Sequence, residues 1–232
     1  MSKSNALETA LLTLYFNNTN HANVGDATGL RGSTTAGSFF LALHTADPGE
    51  GGNQSTNEVT YTGYARVAVA RSSGGFTIST STVALVANQQ FGQATAGSFP
   101  ISATFWSLGV ALSGATEMEY SGPLTPSGAV FVPVTAVAST DTITWVGNTL
   151  SVGNNVAFFA LEGGSVPTGI TEGTVYFVKT VSSSAVTISA TSGGATLDIT
   201  ADGACLAIAV SPITINLNTI PQLNSGTILR EG

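Results

Sequence analysis

Between Ala6 and Phe16 the apolar residues Leu7, Leu11, Leu14 and Tyr15 recur at i, i+4, i+7 and i+8, the spacing of one helical face. Asn5 followed three residues later by Glu8 reads as a capping box, and Asn17, Asn18 and Asn20 end the run. The pattern predicts one short amphipathic helix, docked on its own domain or on a partner. Beyond it the period falls to two. Phe39, Leu41 and Leu43 alternate with Phe40, Ala42 and His44; Ala65, Val67 and Val69 alternate with Arg66, Ala68 and Ala70. Phe76 and Ile78, then Val83 and Leu85, continue the series. Phe99, Ile101, Ala103 and Phe105 share one face before Trp106, Leu108 and Val110 take the other, a phase change that suggests a β-bulge. Gly, Pro, Asn and Asp punctuate these runs at the spacing of an antiparallel β-sandwich or jelly roll.

Near Ala138 the texture changes. Six short runs follow: Thr142–Val146, Val156–Leu161, Thr174–Lys179, Ala185–Ala190, Thr196–Ile199 and Cys205–Val210, separated by glycine-rich turns. They predict a small β-barrel-like module over 139–210. Ile213, Ile215 and Leu217 then alternate with polar residues as if returning to the first sheet. The expected organisation is a jelly-roll core domain of 1–138 plus 211–232 with 139–210 inserted; a tandem C-terminal domain is the alternative.

Composition narrows the function. Only 8% of residues are charged, against about 25% in ordinary soluble domains, while 43% are apolar, so a core can form and the surface must be mostly hydroxyl, amide and glycine. Disorder needs the opposite balance. The net charge is −7, and no Lys or Arg occurs between Ser72 and Val178, which argues against nucleic-acid binding. No apolar run approaches the ~20 residues of a membrane span, and the start of the chain has no export-signal pattern, so folding in a cytoplasm is expected. Cys205, the single cysteine, lies in an apolar run and reads as a buried structural thiol.

Candidate chemistry is sparse. His44 with Asp47, and His21 with Asp26, lack the further ligands of a metal site, and His44 reads instead as a strand end before an Asp47-Pro48-Gly49 turn. Glu117 and Glu119 offer a carboxylate pair on one strand face, but no aromatic sugar platform accompanies them. Asp198 to Asp202 lacks the ligand count of a calcium loop. No nucleophile elbow, Walker loop or zinc-protease motif occurs. The expectation is therefore no enzyme, no metal and no cofactor. Arg66 and Arg71, beside Tyr61 and Tyr64, stand out in so uncharged a chain; with Leu7 and Leu11 on the helix they are the candidate interface residues. The alternative for the arginines is a solvated strand edge pairing Glu58 or Asp47. Trp106 and Trp145 sit in alternating apolar runs and are expected in the core.

The segment Ala42-Leu-His-Thr-Ala-Asp-Pro-Gly-Glu50, then Asn53 to Glu58, then Tyr61-Thr-Gly-Tyr-Ala-Arg-Val-Ala-Val69, resembles a family of small tailed-bacteriophage virion proteins. Those proteins also begin with a helix like Asn5–Asn17 and carry a motif like Tyr120-Ser-Gly-Pro-Leu124. They are similar to jelly-roll capsid decoration (cement) proteins. The resemblance implies a homotrimer on the outer surface of a phage head that ties major capsid protein capsomers together, made in the host bacterial cytoplasm. Related sequences described as tail fibre proteins imply the alternative, a tail or fibre component with a receptor-facing β-module. The stretch Pro167-Thr-Gly-Ile-Thr-Glu-Gly-Thr-Val-Tyr-Phe-Val178 resembles a mobile β-module of phage head and tail proteins.

Overall fold

The computed structural model describes residues 3–22, 24–25 and 28–230. Among the described residues the chain is all-β apart from one helix, α1 (Asn5–Asn17), and a single 3-10 turn at Ala138–Thr140. Eight strands precede the barrel: β1 (Ser38–His44), β2 (Val67–Ala70), β3 (Phe76–Ser79), β4 (Thr82–Leu85), β5 (Gln89–Gln90), β6 (Ile101–Ala103), β7 (Phe105–Gly109) and β8 (Met118–Pro123). Six more close on themselves: β9 (Val132–Val137), β10 (Thr142–Thr144), β11 (Asn155–Phe159), β12 (Val175–Val181), β13 (Ala185–Ser189) and β14 (Gly203–Val210). The last three are β15 (Ile213–Ile215), β16 (Gln222–Leu223) and β17 (Thr227–Arg230), and each pairs antiparallel with an early strand: β6, β5 and β4 respectively.

The first body is an antiparallel sheet ordered β2-β1-β7-β8, faced by α1 and by the smaller sheet β17-β4-β3. Register assigns its faces. Val69 opposite Phe39, Leu41 opposite Leu108 and Leu43 opposite Trp106 put one apolar layer toward the helix. There Leu12 and Phe16 of α1 meet Phe39, Phe76, Val83 and Leu85, with the Phe16 ring 5.2 Å from Phe76 and 5.6 Å from Phe39. Each such fully buried side chain contributes about 1.5–3 kcal/mol of transfer free energy.

Three local expectations are corrected. The buried stripe of α1 is Glu8, Leu12 and Phe16, while Leu7 stays 38% exposed and Leu11 half-buried, because the helix is rotated to seat Phe16 among the aromatic rings. Its cap is Ser4 rather than Asn5: the Ser4 hydroxyl accepts from the Leu7 N–H at 3.3 Å. The phase change between Phe105 and Trp106 does not come from a bulge; the chain leaves β6, paired with β15, at Ala103 and enters β7 in the other sheet at Phe105, with Thr104 bonding to His44 and Thr45 at the crossing.

The barrel has the order β10-β13-β12-β11-β14-β9. Its first strand is Val132–Val137, so the module begins ahead of Ser139. The run Thr196–Ile199 is no strand, and only its Leu197 N–H reaches β13, at Ile188. Inward residues are apolar throughout, including Ile143, Trp145, Val156, Phe158, Val178, Ile188 and Cys205. On the outside of β11 and β14, Ala157, Ile208 and Val210 form a further buried cluster with Ala129 and Phe159. The Phe159 ring lies 6.5 Å from Phe105 of the first body, so this wall packs against β7.

Candidate functional site

The second face of the four-stranded sheet carries the chain's main polar constellation. Registers place Phe40 opposite Gly109, Ala42 opposite Ser107 and His44 opposite Phe105 on this side, and Arg66 precedes β2 beside them. The long connection from β1 to β2 folds across it, beginning with the turn in which Asp47 accepts from the Gly49 N–H at 2.8 Å, Gly49 having a φ of +69°. Gln54, wholly buried, lies over Gly109 and donates to the Phe40 carbonyl at 2.8 Å; a β-carbon at position 109 would collide with the Gln54 amide.

Arg66 is the hub. It is 4% exposed and meets Glu58 bidentately, Nε to Oε1 and Nη2 to Oε2, both at 2.8 Å. Its remaining N–H groups reach the Gln54 and Thr116 side chains, the Ser55 hydroxyl, and the carbonyls of Ala111 (3.1 Å) and Gly114 (2.8 Å). A planar fork of five donors is the one side chain able to bind a carboxylate and two carbonyls together. It thereby ties the β1–β2 connection to the β7–β8 loop. The hydrogen bonds to Glu58 raise the Arg66 pKa further. Tyr64 donates to Glu58 and accepts from the Leu43 N–H; burial above all holds its phenol well above the ordinary range.

His44 and Ser107, both wholly buried, stand 2.7 Å apart through Nε2 and Oγ, while Nδ1 faces the Thr56 carbonyl at 2.8 Å. A carbonyl only accepts, so Nδ1 carries the proton and the Ser107 hydroxyl donates to Nε2. Burial lowers the His44 pKa, which keeps the ring neutral. The spacing resembles a nucleophile–base pair, yet neither residue exposes surface to a substrate.

Arg71 does different work. Its Nε donates to the Tyr15 carbonyl at 2.7 Å, Nη2 to Leu14 and Nη1 to Ala36, and the guanidinium lies 5.5 Å from the Phe39 ring centroid. A cation is placed on the last-turn carbonyls of α1, where the helix dipole favours it. From the other side the Tyr15 hydroxyl donates to Glu119, and the phenol pKa is raised, chiefly by burial and by that bond.

The expected interface residues therefore separate. Arg66 is spent inside the subunit: Glu58 is its partner, as the alternative had it, but the pair is buried under the β1–β2 connection rather than on a solvated strand edge. Tyr61 is 7% exposed, donates to the Gly92 carbonyl and packs edge-on to Tyr64. Arg71 clasps the helix, and Leu7, with Leu11 behind it, faces outward. Glu117 is exposed while Glu119 is engaged by Tyr15, so the two carboxylates do not act together. Asp26 lies outside the described residues. Among those residues no group of three or more His, Cys, Asp or Glu comes together as a metal site. Trp106 and Trp145 are each 6% exposed, in the two separate cores. Gln54, Ser107 and Thr116 were not singled out; a lone Ser inside the apolar run Phe105–Gly109 was the available signal.

A family model described as Podophage GP4 fiber I protein gp80 matches residues 2–146, which takes in α1 and every strand from β1 to β10. No curated protein matches the chain.

Proposed function

Because this chain belongs to the podophage GP4 fiber I protein gp80 family, and is thus a bacteriophage virion structural protein, we propose that it builds part of a fibre of the phage particle. The family match carries this reading, and it favours a fibre over the head decoration implied by the resemblance to cement proteins. The polar constellation supports a structural role: the residues of the His44–Gly49 and Tyr61–Arg66 motifs hold one loop over one sheet and present no open reactive group. In this reading the first body is the part that builds into the particle, docking through the outward leucines Leu7 and Leu11 of α1 on a neighbouring virion protein. The barrel, whose strands β11 to β14 lie beyond the matched residues, is the part that projects.

The test is immunogold electron microscopy of purified particles with antibodies raised against the chain. Gold along fibres supports the proposal; gold spread evenly over the head would replace it with a decoration role.

A further inference from the structure

The two ends of the barrel differ in chemistry. The registers place Thr144, Asn155, Val181 and Ala185 at one end, and Thr142, Phe159, Val175 and Ser189 at the other. All five carboxylates of the barrel segment lie in loops of the second end: Asp141, Glu162, Glu172, Asp198 and Asp202. All but Asp141 are exposed. The first end has none. The chain also enters and leaves the barrel at this end, at Val132 and Val210. Beside that junction the end is covered by residues 145–154, which cross from β10 to β11 over the 182–184 turn, and in that crossing the most exposed apolar side chains are Val146, 75% exposed, and Val152, 65% exposed.

These valines are not on a loose loop. Trp145 is buried beneath them, and its N–H donates to the Ser184 carbonyl at 2.8 Å. Gly147 N–H reaches Ser183 at 3.0 Å, the Asn148 amide donates to Trp145 and Ser182, and Gly153 N–H reaches Val178 at 2.8 Å. Holding two apolar side chains in water on a fixed frame removes the ordering cost of a later contact. The rim around them is serine and asparagine, the anatomy of an interface with an apolar centre and a polar edge. Lys179, the one cation of the barrel segment, sits beside this end at the irregularity in β12 between Val178 and Thr180, and makes no ion pair among the described residues.

We propose that the valine-tipped end of the barrel docks on the acidic end of the barrel of a second copy, head to tail. Charge selects this occupant and orientation. In a chain of net charge −7, two acidic ends repel and two lysine-bearing tips repel, whereas tip against acidic end brings Lys179 to the carboxylates. Because the two surfaces differ, the contact is heterologous and adds copies in a row or ring rather than stopping at a pair. The inference rests on the barrel alone and does not require the fibre reading.

The test is sedimentation velocity of the full-length chain over a concentration series in low and high salt, with two variants. One carries Val146→Asp and Val152→Asp at the tip; the other carries Glu162→Lys and Asp198→Lys at the acidic end, side chains that hold no loop together. The wild-type chain should associate beyond dimers, less so in high salt. The tip variant alone should associate more than about tenfold more weakly, since each valine taken out of water is worth about a tenfold step in affinity. The acidic-end variant should also associate more weakly, since it sets two lysines against Lys179. Their equimolar mixture should form dimers that grow no further, one intact tip meeting one intact acidic end. Self-association of the acidic-end variant as a dimer would show tip meeting tip and overturn the proposal, as would a wild-type chain that stays monomeric at every concentration. Should the aspartates unfold the tip, Val146→Ser with Val152→Ser and circular dichroism matching wild type replaces them, with the same outcomes.

Discussion

The first body and the barrel solve the same problem, a charge-poor chain that must satisfy its backbone, in opposite ways. The barrel closes its sheet, so every strand has two neighbours and no edge is left. Its interior needs only apolar side chains, and its carboxylates work at the ends: Asp141 accepts from the Ile199 N–H, Asp202 from Ala138 and Glu172 from Ala160. The first body is divided among four small open sheets joined by long connections. Its β7–β8 loop, its strand β1 and the last turn of α1 all present carbonyls that side chains meet: Arg66 for Ala111 and Gly114, Gln54 for Phe40, Arg71 for Leu14 and Tyr15. The closed ladder buries a single polar side chain among the described residues, Ser189, whose hydroxyl donates to the Phe177 and Thr191 carbonyls, whereas the open, loop-rich fold depends on several.

The sharpest way to break this contrast is Arg66→Met. It strands the Glu58 carboxylate and two carbonyls, and the expected loss is about 3–5 kcal/mol, confined to the first body. The two tryptophans make the readout local, since Trp106 reports the first body and Trp145 the barrel. In urea, the Trp106 transition of a Trp145→Phe background should fall, and the Trp145 transition of a Trp106→Phe background should not. Arg71→Ala comes next, at about 1–2 kcal/mol, for the loss of charged capping at the end of α1. Helix content by circular dichroism should fall with it.

A smaller effect separates the bodies by pH. Both histidines precede the barrel. His44 has a folded pKa lowered by burial, so below about pH 6.5 the unfolded chain binds more protons than the folded one. The stability it contributes is complete above the unfolded value and lost as the pH falls toward the folded one, at no more than about 1.4 kcal/mol per pH unit. The Trp106 transition should show this fall and the Trp145 transition should not, and His44→Gln should flatten it. The smallest effect is a silence. Burial pushes the Cys205 thiol up to about 11, so a thiol reagent at pH 8 should label the native chain hardly at all and should label it in step with barrel unfolding.

How much of this the sequence carries follows the same division. The barrel strands could be read from alternation, because each inward position is apolar and each turn has its glycine or asparagine. Its first strand was missed because Val132–Val137 alternates no differently from the strands before it, and closure is a long-range property. In the first body the helix was legible from Leu7 to Tyr15, but not which stripe is buried, since Leu12 and Phe16 are chosen by aromatic partners as distant in sequence as Phe76 and Tyr120. The turn after His44 could be read from Asp47-Pro48-Gly49. The role of Arg66 could not: Glu58 is near in sequence, but the carbonyls that need it come from the β7–β8 loop and leave no residue-type signature.

The central claim is that this virion protein belongs to a fibre. It is tested most directly by the copy number of the chain relative to the major capsid protein in purified particles, by quantitative mass spectrometry. The account predicts a ratio far below one, as for a component confined to fibres; a ratio near one, a copy for every capsid subunit, would contradict it.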